Sequence, residues 1–380
     1  MRWWTPSNLP AGCFELRILI TSPYPLWPET AGGIRRTLGI ARALAAMGHE
    51  VTLLGADSIP PAGALPQGLA AAAYATGGGI GYFLNRAFVR ALDAQLVRGV
   101  ELVVASFPYQ AWMLLRACGR HSVPLVYDAH NVESERFASL GSPLLARLVH
   151  WAEARLCREA AAVLAVSEDD QRRFWARYGA SALLLPNGVD TDTFVPALPD
   201  QALLEQLGLR GKRVALYCGT FDYPPNREVL DYLLRLRWPL RQQGRPDTHL
   251  LVVGRKPPAW AQDVAGVVVA GEVDNLVPYL NLANLSLVPL RSGGGTRLKI
   301  IESLACAQQV LSTRFGAAGL LHEAIPGLYL CDLEDFEAHL QKLLAQDIQP
   351  GSNPGGRGWA LGLNWQLSVA ALDWASMVNR

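Results

Sequence analysis

Short runs of apolar residues alternate with longer stretches of helical period along most of this chain. The apolar run at residues 16–21 predicts a strand, and the spacing of apolar positions at 34–47 predicts a helix that ends at Gly48. A second strand is predicted at 50–55. This strand–helix–strand order continues to the end of the chain and is typical of an α/β fold, with a parallel sheet covered by helices on both faces.

The alternation pauses at residues 196–199, where two prolines mark a linker, and then resumes. We therefore predict two Rossmann-like domains of similar size. Residues 14–195 together with 359–380 would form the N-terminal domain, and residues 200–357 would form the C-terminal domain.

Helical spacing also predicts helices at residues 82–97 and 227–241. The stretch 350–358 is rich in glycine and proline and predicts a loop, and residues 359–378 predict a final amphipathic helix. In open parallel sheets, ligands bind beyond the carboxyl ends of the strands. Candidate chemistry is therefore expected directly after the predicted strands, in a cleft between the two halves.

Composition narrows the class of protein. Half of the 380 residues are hydrophobic, 18% are charged, and the formal net charge is +1. This excludes a disordered chain and removes the bulk electrostatic argument for a nucleic-acid partner. The six cysteines are widely scattered without metal-ligand spacing, which indicates a reducing compartment and a cytoplasmic protein.

The strongest candidate site is the glycine-rich segment at residues 291–305, which follows a predicted strand and opens a helix. Free amides at a helix N-terminus suit a phosphate, and cationic side chains in the first turn add to that attraction. A carboxylate one turn later can accept both hydroxyls of a ribose. The alternative is a glycine-rich helix start with a solvated cationic face. The donor-site candidates here are Gly293, Gly294, Gly295, Thr296, Arg297, Lys299 and Glu302.

Two further segments follow predicted strands in the first half. Gly32 and Gly33 precede the first helix and could bring backbone amides to a phosphate, or could simply form a turn. His130 and Asn131 come after the strand at 125–128 and are expected to point into the cleft. Glu133 is a candidate acid on the acceptor side, although a solvated position at a helix start is the more ordinary reading.

Two polar segments lie on either side of the predicted linker. Asp190 and Asp192 resemble a metal-binding acid pair, but they follow an Asn-Gly turn signal and supply too few oxygen ligands, so we predict turn and cap roles. Gly219 follows the first strand of the second half and permits close approach of a ligand. Asn226, a few residues later, is a candidate either for that site or for the N-cap of the next helix.

Taken in order, these segments resemble the GT-B glycosyltransferases of the large retaining family four, also called group 1. The resemblance covers almost the whole chain. The matching pieces are Gly32-Gly33, Asp128-Ala-His130, Val166-Ser-Glu168, Pro186-Asn-Gly-Val-Asp190, Gly219, residues 293–305 and Trp365. It implies two Rossmann-like domains that face each other across a cleft, with the C-terminal helix crossing back to the N-terminal domain.

The resemblance also implies an activity. The C-terminal domain would bind a UDP- or GDP-sugar, and the N-terminal domain would bind a glycan, a lipid-linked glycan or a small-molecule acceptor. Glu302 would bind the ribose, Val273 would lie near the base, and His130 would lie near the transferred sugar. Transfer would retain the anomeric configuration without a metal or other cofactor. The predicted catalytic residues are Arg297 and Lys299, which would stabilise the leaving diphosphate, and His130, which would orient the sugar.

This sequence departs from the family pattern at two places. The family commonly has two glutamates here, and Gly294 stands at the position of the first, which usually contacts the donor sugar. Thr220 and Asn226 stand where an arginine and a lysine usually follow the first strand of the C-terminal domain. We therefore expect Arg297 and Lys299 to supply the charge that faces the phosphates. A nucleotide-sugar epimerase of the same fold and a non-catalytic nucleotide-sugar-binding protein remain alternatives.

Contact with a membrane surface is a further expectation. The predicted helix at 82–97 carries Phe83, Leu84, Phe88 and Leu92 on one side, together with arginines that could face anionic lipid. The same helix could instead pack onto the sheet. With Trp3 and Trp4 near the start of the chain, the first interpretation predicts a peripheral protein on the inner face of the cell membrane.

Overall fold

The computed structural model describes residues 15–29, 31–61, 63–76, 82–139, 141–235, 247–292, 298–320 and 324–379. Within these ranges the chain forms two compact units. The first contains the described residues up to Asn187 and those from Trp365 onward, and the second spans Gly188–Asn364.

The first unit is an α/β layer structure. Its strands are β1 (Arg17–Thr21), β2 (Glu50–Ala56), β3 (Leu69–Tyr74), β4 (Leu102–Ser106), β5 (Leu125–Ala129), β6 (Ala162–Ala165) and β7 (Leu183–Leu184). Its helices are α1 (Gly32–Ala46), α2 (Arg86–Leu96), α3 (Ala111–His121), α4 (Glu133–Ser139), α5 (Pro143–Glu159) and α6 (Glu168–Tyr178). The strands pair in parallel in the order β3-β2-β1-β4-β5-β6-β7.

The second unit repeats this plan. Its strands are β8 (Arg213–Cys218), β9 (Thr248–Val253), β10 (Val267–Gly271), β11 (Leu285–Val288), β12 (Gln309–Thr313) and β13 (Leu328–Cys331), in the parallel order β10-β9-β8-β11-β12-β13. Its helices are α7 (Gln201–Gln206), α8 (Pro224–Arg235), α9 (Val277–Leu282), α10 (Leu298–Ala305), α11 (Phe336–Leu344) and α12 (Pro354–Leu361).

Burial explains why these apolar runs form strands. Ile18, Leu19 and Ile20 of β1 are at most 1% exposed, so β1 is covered on both faces, as in parallel sheets generally. In each sheet the strand order reverses beside the first strand, between β1 and β4 and between β8 and β11. Such a reversal leaves a crevice at the carboxyl ends of the strands, where ligands of open α/β sheets bind.

The end of the chain differs from the sequence prediction. Residues 350–358 are not only a loop, because α12 begins at Pro354 and the side chain of Asn353 accepts a hydrogen bond from the amide of Gly356. Proline at the first turn needs no amide donor, which lets a glycine-rich stretch start a helix. The predicted single helix at 359–378 is divided between the end of α12 and two short helices, α13 (Trp365–Ala370) and α14 (Trp374–Val378).

The last residues return to the first unit through a close helix contact, and the predicted return of the chain to the N-terminal domain is confirmed. Trp365 of α13 lies against Gly39 of α1, so closely that a Cβ on Gly39 would be 2.4 Å from the indole ring. Glycine at this position lets the indole approach the backbone of α1.

The unit boundaries fall at 187/188 and 364/365, whereas the sequence placed them near 195 and 359. The reason lies in backbone contacts of the connecting segment. The amide of Val189 donates to the carbonyl of Leu363 at 2.8 Å, and Phe194 packs against the core of the second unit. Asp190 accepts hydrogen bonds from the amides of Asp192 and Thr193, which is the turn role predicted for it.

Candidate functional site

In the first unit, the segments that follow the carboxyl ends of β1, β4 and β5 bring Gly33, Phe107 and His130 together. A Cβ on Gly33 would lie 2.8 Å from Cζ of Phe107 and 3.0 Å from Nδ1 of His130. The Phe107 and His130 rings are 4.2 Å apart between centroids. Phe107 has a positive φ of 73°, a strained conformation for a bulky residue that is often found at functional sites. Gly32, one residue before Gly33, is exposed.

A buried ion pair holds His130 in place. Arg36 of α1 donates from Nη2 to Oδ1 of Asp128 at 2.6 Å, and Nε2 of His130 lies 2.9 Å from Oδ2 of the same carboxylate. Burial by itself raises the pKa of Asp128, but Arg36 and His130 outweigh it and lower the pKa to about 2. Asp128 is therefore ionised at neutral pH and fixes the orientation of the imidazole.

The other ring nitrogen of His130, Nδ1, faces Gly33, where a Cβ would lie 3.0 Å from it. Nδ1 is buried and has no hydrogen-bond partner among the described residues. Buried polar atoms are nearly always hydrogen-bonded in native proteins, so Nδ1 is a candidate position for a hydrogen bond to a water molecule or a substrate hydroxyl. The sequence predicted His130 but not Arg36. The only signal for Arg36 was its position in the first turns of α1, directly after Gly32 and Gly33.

Glu133 is not the solvated residue that the sequence suggested as the more ordinary reading. Its side chain is fully buried. It accepts hydrogen bonds from the hydroxyl of Tyr109 at 2.5 Å, from Nε of Arg136 at 2.8 Å and from Nδ2 of Asn131 at 2.6 Å. The Arg136 cation and these donors replace the water that an exposed carboxylate would need. Glu133 and Asn131 therefore belong to a structural network beside His130.

A second buried acid, Glu153 of α5, was not predicted from the sequence. Its carboxylate accepts the amides of Glu133 at 2.8 Å and Ser134 at 3.0 Å, which are the first amides of α4. Burial raises the pKa of Glu153, and these hydrogen bonds oppose the rise. Glu153 lies in the middle of an otherwise ordinary helix, so its role depends on α4 packing against α5.

In the second unit, Lys299 and Gly219 meet at the carboxyl end of β8. Nζ of Lys299 donates to the carbonyl of Cys218 at 3.0 Å and to Oδ1 of Asn226 at 3.2 Å. The ammonium also lies 5.2 Å from the ring centroid of Tyr217. Helix α10 thus positions a cation beside Gly219, where the strand order of this sheet reverses.

Asn226 is not the helix N-cap. Helix α8 begins earlier, at Pro224, and the Asn226 side chain donates to the carbonyl of Thr220 at 3.0 Å. A Cβ on Gly219 would come within 3.1 Å of the Asn226 amide. Thr220 and Asn226, which stand where the family usually has an arginine and a lysine, are thus joined to each other, and Asn226 also contacts Lys299.

The remaining predicted residues of the second unit lie on neighbouring elements. Glu302 is buried on α10, one turn after Lys299. Val273 is half-buried after β10 and packs against the core. Gly293, Gly294, Gly295, Thr296 and Arg297 lie outside the described residues.

Two cations near Gly219 were not predicted. Arg255 and Lys256 follow β9, and both approach the carboxylate of Asp222, at 3.3 Å and 3.0 Å. The amide of Phe221 donates to the carbonyl of Arg255 at 2.8 Å, which ties the two loops together. Their sequence signal was a basic pair directly after a strand, in the same place as the other candidates.

The expected lipid-facing side of the predicted helix at 82–97 is only partly exposed, because Leu84, which lies before the helix itself, is 63% exposed while its partners on the helix are buried. Helix α2 begins only at Arg86, after Asn85 caps its N-terminus, and Phe88 and Leu92 are completely buried in the core of the first unit. Those side chains pack onto the sheet, as the alternative interpretation proposed. Trp3 and Trp4 lie outside the described residues. Across the described ranges, no helix combines the length and apolar character needed to cross a bilayer.

Comparisons with known proteins agree with this architecture. The family model "Glycosyltransferase Family 4" matches residues 31–193, and the model "Glycosyl transferases group 1" matches residues 212–346. A GDP-mannose-dependent alpha-(1-6)-phosphatidylinositol monomannoside mannosyltransferase of Mycolicibacterium smegmatis is 31% identical over 59% of this chain and 64% of its own length. A phosphatidyl-myo-inositol mannosyltransferase of Mycobacterium tuberculosis is 29% identical over 40% of each chain. The chain thus spans less than two thirds of these curated relatives.

Solved structures show the same fold. Anabaena Alr3699/HepE, crystallised with UDP and glucose, has a TM-score of 0.71 at 15% identity, over 94% of this chain and 99% of that one. The sucrose-phosphate synthase of Thermosynechococcus elongatus has a TM-score of 0.74 at 18% identity, over 96% and 97%. The two family matches and the shared architecture agree, and the chain therefore belongs to glycosyltransferase family 4 and has its two-domain α/β GT-B fold.

Proposed function

We propose that this protein transfers a sugar from a nucleotide diphosphate sugar to an acceptor hydroxyl, with retention of the anomeric configuration. The observation that carries the proposal is the position of Lys299, whose ammonium lies beside Gly219 at the carboxyl end of β8. A fixed cation next to a backbone without a side chain suits a phosphate group. Membership of family 4 supports the reaction class.

In the proposed step, the bond between the anomeric carbon and the diphosphate oxygen breaks while the acceptor oxygen bonds to the same carbon. The acceptor proton leaves with the departing diphosphate. Negative charge therefore grows on the leaving group, and Lys299 together with Arg297 and the amides of residues 293–296 would stabilise it. These cations would fill the role of a divalent ion, so we expect transfer to proceed without one.

One acidic and one basic group, each considered within its own unit, are assigned to substrate hydroxyls. Glu302 lies one turn beyond Lys299 on the same helix, and we assign its carboxylate to the ribose hydroxyls. His130 would bind a sugar hydroxyl through Nδ1, because Asp128 already occupies Nε2 at 2.9 Å. We assign the acceptor to the first unit, near Gly33 and the aromatic side chains around Tyr109.

The relatives suggest which substrates to test first. The mannosyltransferase that is 31% identical is named for GDP-mannose and for a phosphatidylinositol mannoside. We therefore propose GDP-mannose as the donor and a lipid-linked glycan as the acceptor. UDP-glucose is the comparison donor, since a structural neighbour has been crystallised with it.

Two measurements test the proposal. Isothermal titration calorimetry compares the binding of GDP-mannose and UDP-glucose, and an assay in EDTA then follows the release of GDP or UDP with lipid-linked acceptors. We expect Lys299→Met to lower the transfer rate about 10²–10³-fold, because it removes a charge that faces the leaving group. Lys342→Met, on the exposed face of α11, is the matched control and should leave the rate unchanged. NMR of the product gives its anomeric configuration.

Three results would count against this assignment. Full activity of Lys299→Met would remove the leaving-group role from Lys299. Formation of an epimerised nucleotide sugar when donor is supplied without acceptor would favour an epimerase. Tight donor binding with no nucleotide release for any acceptor would favour a non-catalytic binding protein.

A further inference from the structure

The outward face of α5 is apolar. Leu144, Leu148 and Trp151 follow each other at spacings of four and three residues, so they lie on one side of the helix. They are 81%, 43% and 50% exposed, and Leu145 beside them is 41% exposed. Trp112 of α3 extends this surface, since its ring centroid is 5.9 Å from that of Trp151. We call these five side chains the α5 patch.

The core does not explain this pattern. Helix α5 already contributes Val149, Ala152 and Leu156 to the interior, where they are at most 5% exposed. A surface helix normally carries polar residues on its other side. A contiguous exposed group of large apolar side chains marks a surface that another body covers.

The charged residues around the α5 patch indicate which kind of partner covers it. Arg147 and Arg158 are exposed on α5, and Arg116 is exposed on α3. The guanidinium of Arg155 lies 4.9 Å from the ring centroid of Trp112 and 5.7 Å from that of Trp151. Against these cations, the exposed face of α5 carries one carboxylate, Glu159, which pairs with Arg155 and Arg158. The rim of the patch is therefore cationic.

A small pocket lies next to the patch, and two arginines, Arg147 and Arg177, line it together with His150 and Trp151. Arg177 also lies 3.6 Å from the carboxylate of Glu135, and burial lowers the pKa of His150, so Arg147 carries most of the positive charge that a ligand would meet here. An arginine at the edge of an apolar surface suits the phosphate of a lipid headgroup. The adjoining leucines and tryptophans suit the upper part of the acyl region, where indole rings prefer to lie.

We propose that the α5 patch docks this protein onto an anionic bilayer. Leu144, Leu148 and Trp151 enter the boundary between headgroups and acyl chains, while Arg147 and Arg158 remain with the lipid phosphates. This surface differs from the helix for which the sequence suggested lipid contact, because the apolar face of α2 is buried and that of α5 is not. The proposal does not depend on sugar transfer, since binding to vesicles needs neither donor nor acceptor.

A vesicle flotation assay on the full chain tests the proposal. It compares binding to vesicles of phosphatidylglycerol and phosphatidylcholine with binding to vesicles of phosphatidylcholine alone. We expect binding only to the anionic vesicles, and release at high salt because the attraction of surface charges is screened. Arg147→Gln should weaken binding about fivefold, and the double variant Leu148→Gln/Trp151→Gln should weaken it more. Leu198→Gln is the matched control, because Leu198 is 92% exposed but lies in the second unit.

The variants replace exposed side chains, so circular dichroism and the thermal midpoint should match those of the unmodified protein. Equal binding by the Leu148→Gln/Trp151→Gln variant, or equal loss in the Leu198→Gln control, would overturn the proposal. So would a concentration-dependent dimer in sedimentation equilibrium that Trp151→Gln abolishes while vesicle binding stays the same. That last result would assign the patch to a second copy of the chain.

Discussion

Replacing Arg36 by methionine removes the cation from the ion pair that holds His130. The Arg36 guanidinium donates to both oxygens of Asp128, and it also donates to the carbonyl of Leu185 and to Asn187, each at 2.9 Å. Arg36 is 1% exposed and Asp128 is fully buried. Methionine has a similar length and fills most of the space, so the main effect of Arg36→Met is electrostatic.

The size of the effect follows from burial. Removing one partner of a buried pair leaves the other charge without compensation and costs about 3–5 kcal/mol. A second line of argument uses the pKa of Asp128, which the structure lowers from 3.8 to about 2. A lowering of that size amounts to roughly 2 kcal/mol of stability at neutral pH for the whole site, with burial and His130 included, so it agrees in sign with the loss expected for Arg36→Met.

Native-state hydrogen exchange measures this loss within the first unit alone, which matters because a chain of two units need not unfold in one step. Amides of α1 and β5 should exchange with a free energy of opening that is about 3–5 kcal/mol lower in Arg36→Met. The control is Arg120→Met, which breaks a partly exposed pair with Asp93 at 2.9 Å and should cost less than about 1 kcal/mol.

The dependence of stability on acidic pH is an independent check on the Arg36–Asp128 pair. Because the pKa of Asp128 is lower in the folded protein, its contribution is fully present above about pH 4 and is lost as the pH falls toward 2. Asp128→Asn should therefore weaken the dependence of stability on pH in that range. A loss of less than about 1 kcal/mol in Arg36→Met, or an unchanged pH dependence in Asp128→Asn, would refute the reasoning.

Three glycines offer further predictions. Gly39→Ala places a methyl group against the indole of Trp365 and should lower the unfolding free energy by about 1–3 kcal/mol, seen as altered tryptophan fluorescence during denaturation. Gly119→Ala, also within a helix but with no atom within 4 Å of the new Cβ, should instead stabilise by about 0.5–1 kcal/mol. Gly254 follows β9 and has a φ of +135°, which alanine rarely adopts. In Gly254→Ala the new Cβ would also lie 1.8 Å from the carbonyl oxygen of Gly219. We expect calorimetry to show weaker nucleotide binding by this variant. Unchanged binding would contradict the proposal that the diphosphate binds beside Gly219.

Local pattern in the sequence predicted most strands and many helices, because each depends on the spacing of apolar residues along a short segment. The runs at β1 and β8 are buried on both faces, so their apolar character is continuous and easily recognised. The order of strand-end motifs indicated the family in the same way. The start of α12 at Pro354 was missed because glycine and proline favour a loop until Asn353 caps the helix.

Contacts between distant residues could not be predicted from local pattern. Arg36 and Asp128 are 92 positions apart, and no feature of either segment shows that they pair. Glu153 and Glu133 have the polar character of solvated helix residues, yet both are buried. The packing of α4 on α5 supplies amide donors to Glu153, and Tyr109, Asn131 and Arg136 supply the donors to Glu133. The sequence by itself therefore singled out His130 and Lys299 as candidates, while their pairing with Asp128 and Asn226 came only from the fold.

Helices α2 and α5 show this division most directly. Both carry apolar residues at helical spacing together with arginines, so the sequence allowed lipid contact or packing for α2 and offered no reason to single out α5. The amino-acid pattern determined that each segment is a helix, because that depends on local spacing alone. Only the tertiary structure decided which apolar face is covered: the sheet of the first unit buries Phe88 and Leu92 and leaves Leu144 and Trp151 in solvent.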